Sequence, residues 1–443
     1  RDLAGRPRGM IPPGGRSGRG PSVTLPLAYL VTAAAAFVLA ALALPGRGAV
    51  LAGHYYHPRI LALTHVLALG WVTLAIMGAS YQLIPVVIER PLFSERLALW
   101  QLPGLAAGIL GMVGHFWIGS WDGLAWAAAL VGAGILAHVV NVALSLRGLA
   151  RWSFTARGVA LALGGLTLTV AFGVTLAMTH GAHVFPGGLL GAVHAHFHLA
   201  LLGWVAPMIV AVAARVYPMF LLAPEPGGWG ASIQLGGLGL GVPAVVLGLM
   251  LGRPALVAPG AVAVAVALGV HAWWVVGFAR RRKRLTLDWG LRFVLTGTAC
   301  LAPLGALGLV LALGAGSGPR VALAYAVLAL GGWVSLTIVG MMLKIVPFLV
   351  WYRVYAPRAG REPVPTLVQL SWPAAERLAY GLLTAGVLAL AAAVAAGAPA
   401  AITVAGTIVS IGALSFAAAL GRPLSHLRPR VESRHARALP ARP

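Results

Sequence analysis

Carboxylates are scarce in this chain. Nine Asp and Glu occur in 443 residues, none falls deep in an apolar run, and Asp122 alone is expected on the outer side. That scarcity argues against a proton pump that relays through intramembrane carboxylates, because such a relay needs them buried in the helices. Cysteine is scarcer still. Cys300 stands alone inside an apolar stretch, so neither an intrachain disulfide nor a cluster of thiolate ligands can form. Charged residues of both signs make up only 9% of the chain against 60% hydrophobic, and the mean hydropathy is +0.90. No ordinary soluble domain has that balance. Long polar connections are missing too, since the longest internal loop, about 351–373, is too short for a soluble domain.

What the chain does have is apolar runs. Spanning the hydrocarbon core takes roughly 20 apolar residues per helix. Twelve runs qualify, near 23–45, 59–88, 97–119, 122–146, 156–180, 189–222, 231–251, 255–279, 290–313, 321–350, 374–397 and 400–420. Abundant Gly and Ala suit helices that approach closely in lipid. Three of the runs share a pattern: Gly-Trp-Val at Gly70, Gly203 and Gly332, each with a proline 14 residues after the tryptophan, at Pro85, Pro218 and Pro347. The spacing divides the chain into three four-helix units, about 23–150, 151–285 and 286–421.

The net charge of +23 is distributed in a way that points to topology. Arg47, Arg59, Arg253 and Arg320 fall in the loops on one side, and Arg215 and Lys344 fall within helices. All the other Lys and Arg fall on the opposite side. This positive-inside asymmetry predicts a multi-pass protein of the cell's inner (plasma) membrane with both termini cytoplasmic. The cluster Arg280 to Arg284 is then an anchor at anionic headgroups. Nucleic acid is not an expected partner, since no basic stretch is interleaved with stacking aromatics. The basic segments 1–22 and 422–443 are expected to be disordered tails. The apolar run from Val23 is too long for a signal peptide and reads as the first helix.

Chemistry must then come from polar residues in or beside the helices, and histidine dominates. Nine of the 13 histidines fall toward the outer side: His54, His57, His65, His115, His180, His183, His194, His196 and His198. Imidazole in hydrocarbon is costly unless a metal or hydrogen-bond partner compensates it. Neutral imidazole ligates iron, copper and zinc. His65 and His198 hold the same position in the first two copies of the repeat, and Val327 holds it in the third, so these two are the leading ligand candidates. His194 and His198 share one helical face while His196 points elsewhere, which allows one metal to take two ligands from this helix. His54, His57 and His183 read as interfacial residues or carbonyl partners. Three residues before the repeat proline stand Gln82, Arg215 and Lys344. The two cations could meet an anionic ligand or haem propionates, although snorkelling to the headgroups is the favoured reading. The prolines are expected to kink their helices.

Twelve helices in three units, and histidines near the outer ends of the second and sixth helices, resemble the haem-copper oxidase subunit I superfamily. The resemblance is to its cbb3-type and nitric oxide reductase-like branches and to the haem- and copper-containing membrane proteins of the bacterial nitric oxide response. It implies an all-α polytopic fold of twelve transmembrane helices in three pseudo-threefold four-helix arcs. It also implies that His65 is an axial ligand of haem b, that a histidine of the sixth helix is a metal ligand, and that copper is a possible second cofactor. A cytochrome c or other electron-transfer subunit is the partner such a protein would use. The sequence departs from catalytic members of the superfamily, which carry a histidine pair on the seventh helix and two histidines on the tenth. Here neither helix has any.

The expectation is therefore a haem-binding membrane protein for electron transfer or for handling nitric oxide or oxygen, and not a pump. His65, His194 and His198 would hold haem, and His194, His196 and His198 a metal, with His115, His180, His183, Arg215 and Lys344 as further candidates. The alternative is a transporter or metal-handling permease with a copper or zinc site at the outer histidines.

Overall fold

The computed structural model describes residues 22–179, 184–314 and 318–428. Among them, twelve helices are long and apolar enough to cross a membrane. They are α1 (Thr24–Leu42), α2 (Pro58–Ile88), α3 (Glu95–Ile118), α4 (Leu124–Leu146), α5 (Phe154–Thr179), α6 (Gly188–Leu221), α7 (Gly230–Met250), α8 (Pro254–Arg280), α9 (Trp289–Ala312), α10 (Pro319–Val354), α11 (Pro373–Ala396) and α12 (Pro399–Ser425). The chain is a multi-pass membrane protein. Each helix matches one expected run, and the largest departure is at the end of α12. That helix continues through Arg422 to Ser425, and Tyr355 Oη and His426 Nδ1 hydrogen-bond at 2.6 Å, so the segment from Arg422 is ordered further than expected. Residues 1–21 and 429–443, the bulk of the expected tails, lie outside the described residues.

Local chemistry sets the helix starts. Pro58, Pro254, Pro319, Pro373 and Pro399 each occupy the first helical position, where the missing N–H costs nothing and the fixed φ favours the helix. Ser94 caps α3, its Oγ accepting from Leu97 N at 3.1 Å, and Asp288 caps α9 through Leu291 N at 3.0 Å. Gly119 and Gly397, at φ 71° and 64°, close α3 and α11 in the left-handed conformation that a Cβ disfavours.

Every helix packs on its neighbours in sequence, and α12 returns to α1, so the twelve form a closed ring. The second helix of each repeat unit lies deepest. The most apolar windows of α2, α6 and α10 are 61, 83 and 78% buried, against 56% or less in the other nine. Small residues set the closest approaches. A Cβ on Gly241 would lie 2.8 Å from the Gly260 carbonyl, and a Cβ on Gly260 the same distance from the Gly241 carbonyl, so α7 and α8 touch backbone to backbone.

The repeated sequence has a repeated backbone. Around each Gly-Trp-Val the helix widens to π geometry, over Val66–Thr73, Leu199–Val205 and Leu328–Ser335. Such segments are rare and concentrate at functional sites. The tryptophans at their centres, Trp71, Trp204 and Trp333, are all but fully buried. The repeat prolines lie inside helices that continue beyond them. In the first two copies the residue four past the proline, Glu89 or Leu222, ends the helix in the left-handed region at φ 55° or 52°. The following amide then donates to the proline carbonyl, Arg90 N at 3.1 Å and Ala223 N at 2.9 Å.

Candidate functional site

The face opposite the start of α1 and the end of α12 carries the loop between α1 and α2, and beneath it opens a cavity of about 1140 Å³. Its size reaches past the usual range of roughly 300–1,000 Å³ for small-molecule and cofactor pockets. His54, Tyr55, Tyr56, His65, His194, His196 and His198 all contribute to its wall, and among the described residues no Asp, Glu, Lys or Arg lines it. Apolar side chains from α2 to α10 make up most of the rest.

His65 and His198 occupy equivalent places and adopt the same local geometry. Each ring points back along its helix, and Nδ1 lies 2.7 Å from the carbonyl four residues earlier, Leu61 for His65 and His194 for His198. A carbonyl only accepts, so Nδ1 carries the proton and Nε2 keeps its lone pair. A backbone carbonyl on the second nitrogen is the arrangement that orients ligating imidazoles. The two rings then diverge in surroundings. His65 stacks on Phe116 of α3, with centroids 4.8 Å apart, whereas His198 stacks on Tyr325 of α10 at 5.7 Å.

His196 is two residues from His198, about 200° away around the helix at 3.6 residues per turn. It meets Phe172 of α5 edge-on, with centroids 6.0 Å apart, and its Nδ1 is buried with no hydrogen-bond partner among the described residues. A Cβ on Gly173 would come within 2.8 Å of its Cε1, so this glycine leaves the space the ring fills. His196 and His65 line the same cavity from different helices. His194 lies toward the mouth against Tyr55, with centroids 5.0 Å apart. Burial raises the phenol pKa of both Tyr55 and Tyr56 above the ordinary tyrosine value.

Other expected residues go elsewhere. His54 Nδ1 accepts from Tyr56 N at 3.1 Å and His57 Nδ1 from Arg59 N at 3.2 Å, so both serve the loop and helix start, although His54 also reaches the cavity mouth. His115 packs beneath Gly123 and does not line the cavity. Arg215 pairs with Glu225 at the other end of α6. Lys344 Nζ is 2.5 Å from Asp288 Oδ2 and lies over the Phe220 ring. Neither cation lines the cavity. His180 and His183 lie outside the described residues. Among the described residues, no group of three or more His, Cys, Asp and Glu is placed to hold a metal ion.

Two features escaped the sequence reading. Tyr325 stands at the same repeat position as His196, two residues before Val327, and aligning the copies would have exposed it. His138, fully buried, has Nδ1 2.9 Å from Tyr81 Oη, which also accepts from Gln101 Nε2 at 2.7 Å. No motif joins these residues across α2, α3 and α4.

No protein-family model matches the chain, and no curated protein matches it.

Proposed function

We propose that this protein binds haem b in the cavity beneath the α1–α2 loop and uses it for electron transfer, with the three-arc arrangement of oxidase subunit I. The observation that carries the proposal is His65. Its Nδ1–H is committed to Leu61 O, and its bare Nε2 belongs to a ring on the wall of a large apolar cavity. His196, on α6 in the wall of the same cavity and with a buried nitrogen unpartnered among the described residues, would supply the second axial ligand.

The surroundings fit such a group. An apolar wall without charged residues suits a macrocycle, and the polar mouth of His54, Tyr55 and Tyr56 offers the carboxylates of its edge a place near water. Bound haem would supply one-electron redox chemistry, and two imidazole ligands would leave no open position for a gas. The chain's own contribution is to fix the His65 tautomer, set both rings on rigid helices and exclude bulk water. With the positive-inside rule, the cavity face is the outer face of the inner membrane.

The test is an absorption spectrum of the purified protein. A Soret band is expected, and His65→Ala and His196→Ala should each abolish or shift it. No band, or a band unchanged in both variants, overturns the reading. Carbon monoxide added to the reduced protein should leave the spectrum unchanged. A shift would mean an open iron position and would favour gas handling.

A further inference from the structure

We infer that a neutral, lipid-soluble ring compound with a hydroxyl group and a long apolar tail, of the isoprenoid quinol type, binds on the other side of α6, with the hydroxyl of its head at the edge of the His198–Tyr325 pair. The inference does not depend on haem at His65, because the two histidines face different neighbours.

The polar end is defined by two groups of opposite hydrogen-bonding sense. His198 Nδ1–H is used by His194 O, so its Nε2 can only accept. Tyr325 is 8% exposed and lines the cavity, and among the described residues its Oη has no hydrogen-bond partner. The phenol is therefore free to donate. With the ring centroids 5.7 Å apart, the pair brings one acceptor and one donor to the same part of the cavity wall. A ring hydroxyl meets both requirements: it donates to His198 Nε2 and accepts from Tyr325 Oη. The absence of charged lining residues favours a neutral head over a phosphate or a carboxylate.

The tail follows from the shape. Cavity-lining residues recur on α8 from Val257 to Val276, a rise of roughly 28 Å at 1.5 Å per residue. The facing wall on α9 includes Gly305 and Gly308. A Cβ on Gly308 would lie 3.2 Å from the Tyr325 ring, so this glycine keeps the passage beside the phenol narrow but open. α8 is the least buried of the twelve helices, so this wall of the cavity is a single peripheral helix away from lipid, the phase from which such a compound would enter. A slot this long exceeds what a small gas or a bare ring would need.

The full-length protein in lipid nanodiscs can be tested with a photoreactive decyl-benzoquinol. The expected result is crosslinking to peptides of α8 and α9, with equilibrium affinity about fivefold to tenfold weaker in Tyr325→Phe and in His198→Ala, the effect of one hydrogen bond. Gly308→Leu should block labelling while Gly308→Ala retains it. Labelling elsewhere, or affinity unchanged in both head-group variants, overturns the inference. So does equal competition by phosphatidylglycerol, which would make the slot an acyl-chain site. Haem content is read separately from the Soret band, so loss of haem in these preparations would not be mistaken for loss of the quinol.

Discussion

Trp71 Nε1 donates to Ser335 Oγ at 2.9 Å, joining the first and third copies of the repeat across 264 residues of sequence. Both residues belong to the π segments of their helices, and both are buried. The indole N–H groups of Trp204 and Trp333 are also buried, but they have no hydrogen-bond partner among the described residues. Two residues past the three tryptophans stand Thr73, Ala206 and Ser335, so the copies differ at the position that supplies the acceptor.

Ser335→Ala should therefore destabilise the protein by about 1–3 kcal/mol, because it leaves a buried N–H unpaired. Equilibrium unfolding in detergent measures this. Wild-type stability in the variant would mean that the central bond contributes nothing.

Haem retention should separate the histidines of α6. His196→Ala is expected to lose or shift the Soret band, while His198→Ala keeps it, since His198 is turned to Tyr325 of α10. The reverse pattern would move the proposed axial ligand to the repeat-equivalent position.

Gly173→Ala should disturb the same site from behind. The added Cβ would lie 2.8 Å from His196 Cε1, and the imidazole must shift. We expect a changed haem spectrum with unchanged circular dichroism. An unaltered spectrum would show that His196 is not a ligand.

Leu222→Gly should stabilise the fold by about 1 kcal/mol, because a left-handed non-glycine residue costs about that much. Some of the gain is offset by the greater freedom of glycine in the unfolded chain. A lower melting temperature would mean that the Leu222 side chain contributes more than its backbone strain costs.

Asp288→Ala should cost about 2 kcal/mol, since it removes the α9 cap and leaves the mostly buried Lys344 ammonium unpaired. Glu225→Ala, which breaks the exposed pair with Arg215, should fall below about 0.5 kcal/mol. Thermal unfolding of the two variants side by side tests the contrast.

Much of the architecture is legible in the residues alone. Hydropathy is a local property, so runs of apolar residues mark the helices, and Pro58, Pro254 or Pro399 sharpens their starts. The Gly-Trp-Val copies single out α2, α6 and α10, which prove to be the buried helices. The widening of those helices over the repeat was not legible, because no residue preference separates a π turn from an α turn in an apolar run. The snorkelling expected of Lys344 is replaced by an ion pair, since Asp288 lies 56 residues away in the chain and only packing brings them together.

By itself the sequence determined twelve spans, a threefold repeat, and a concentration of imidazoles toward one face, all of which follow from composition and spacing along the chain. Tertiary structure decided what each imidazole meets: Phe116 for His65, α5 for His196 and Tyr325 for His198. The reason is geometric. Neighbouring side chains on a helix diverge by about 100° per residue, so ring position depends on how helices far apart in sequence pack around that axis.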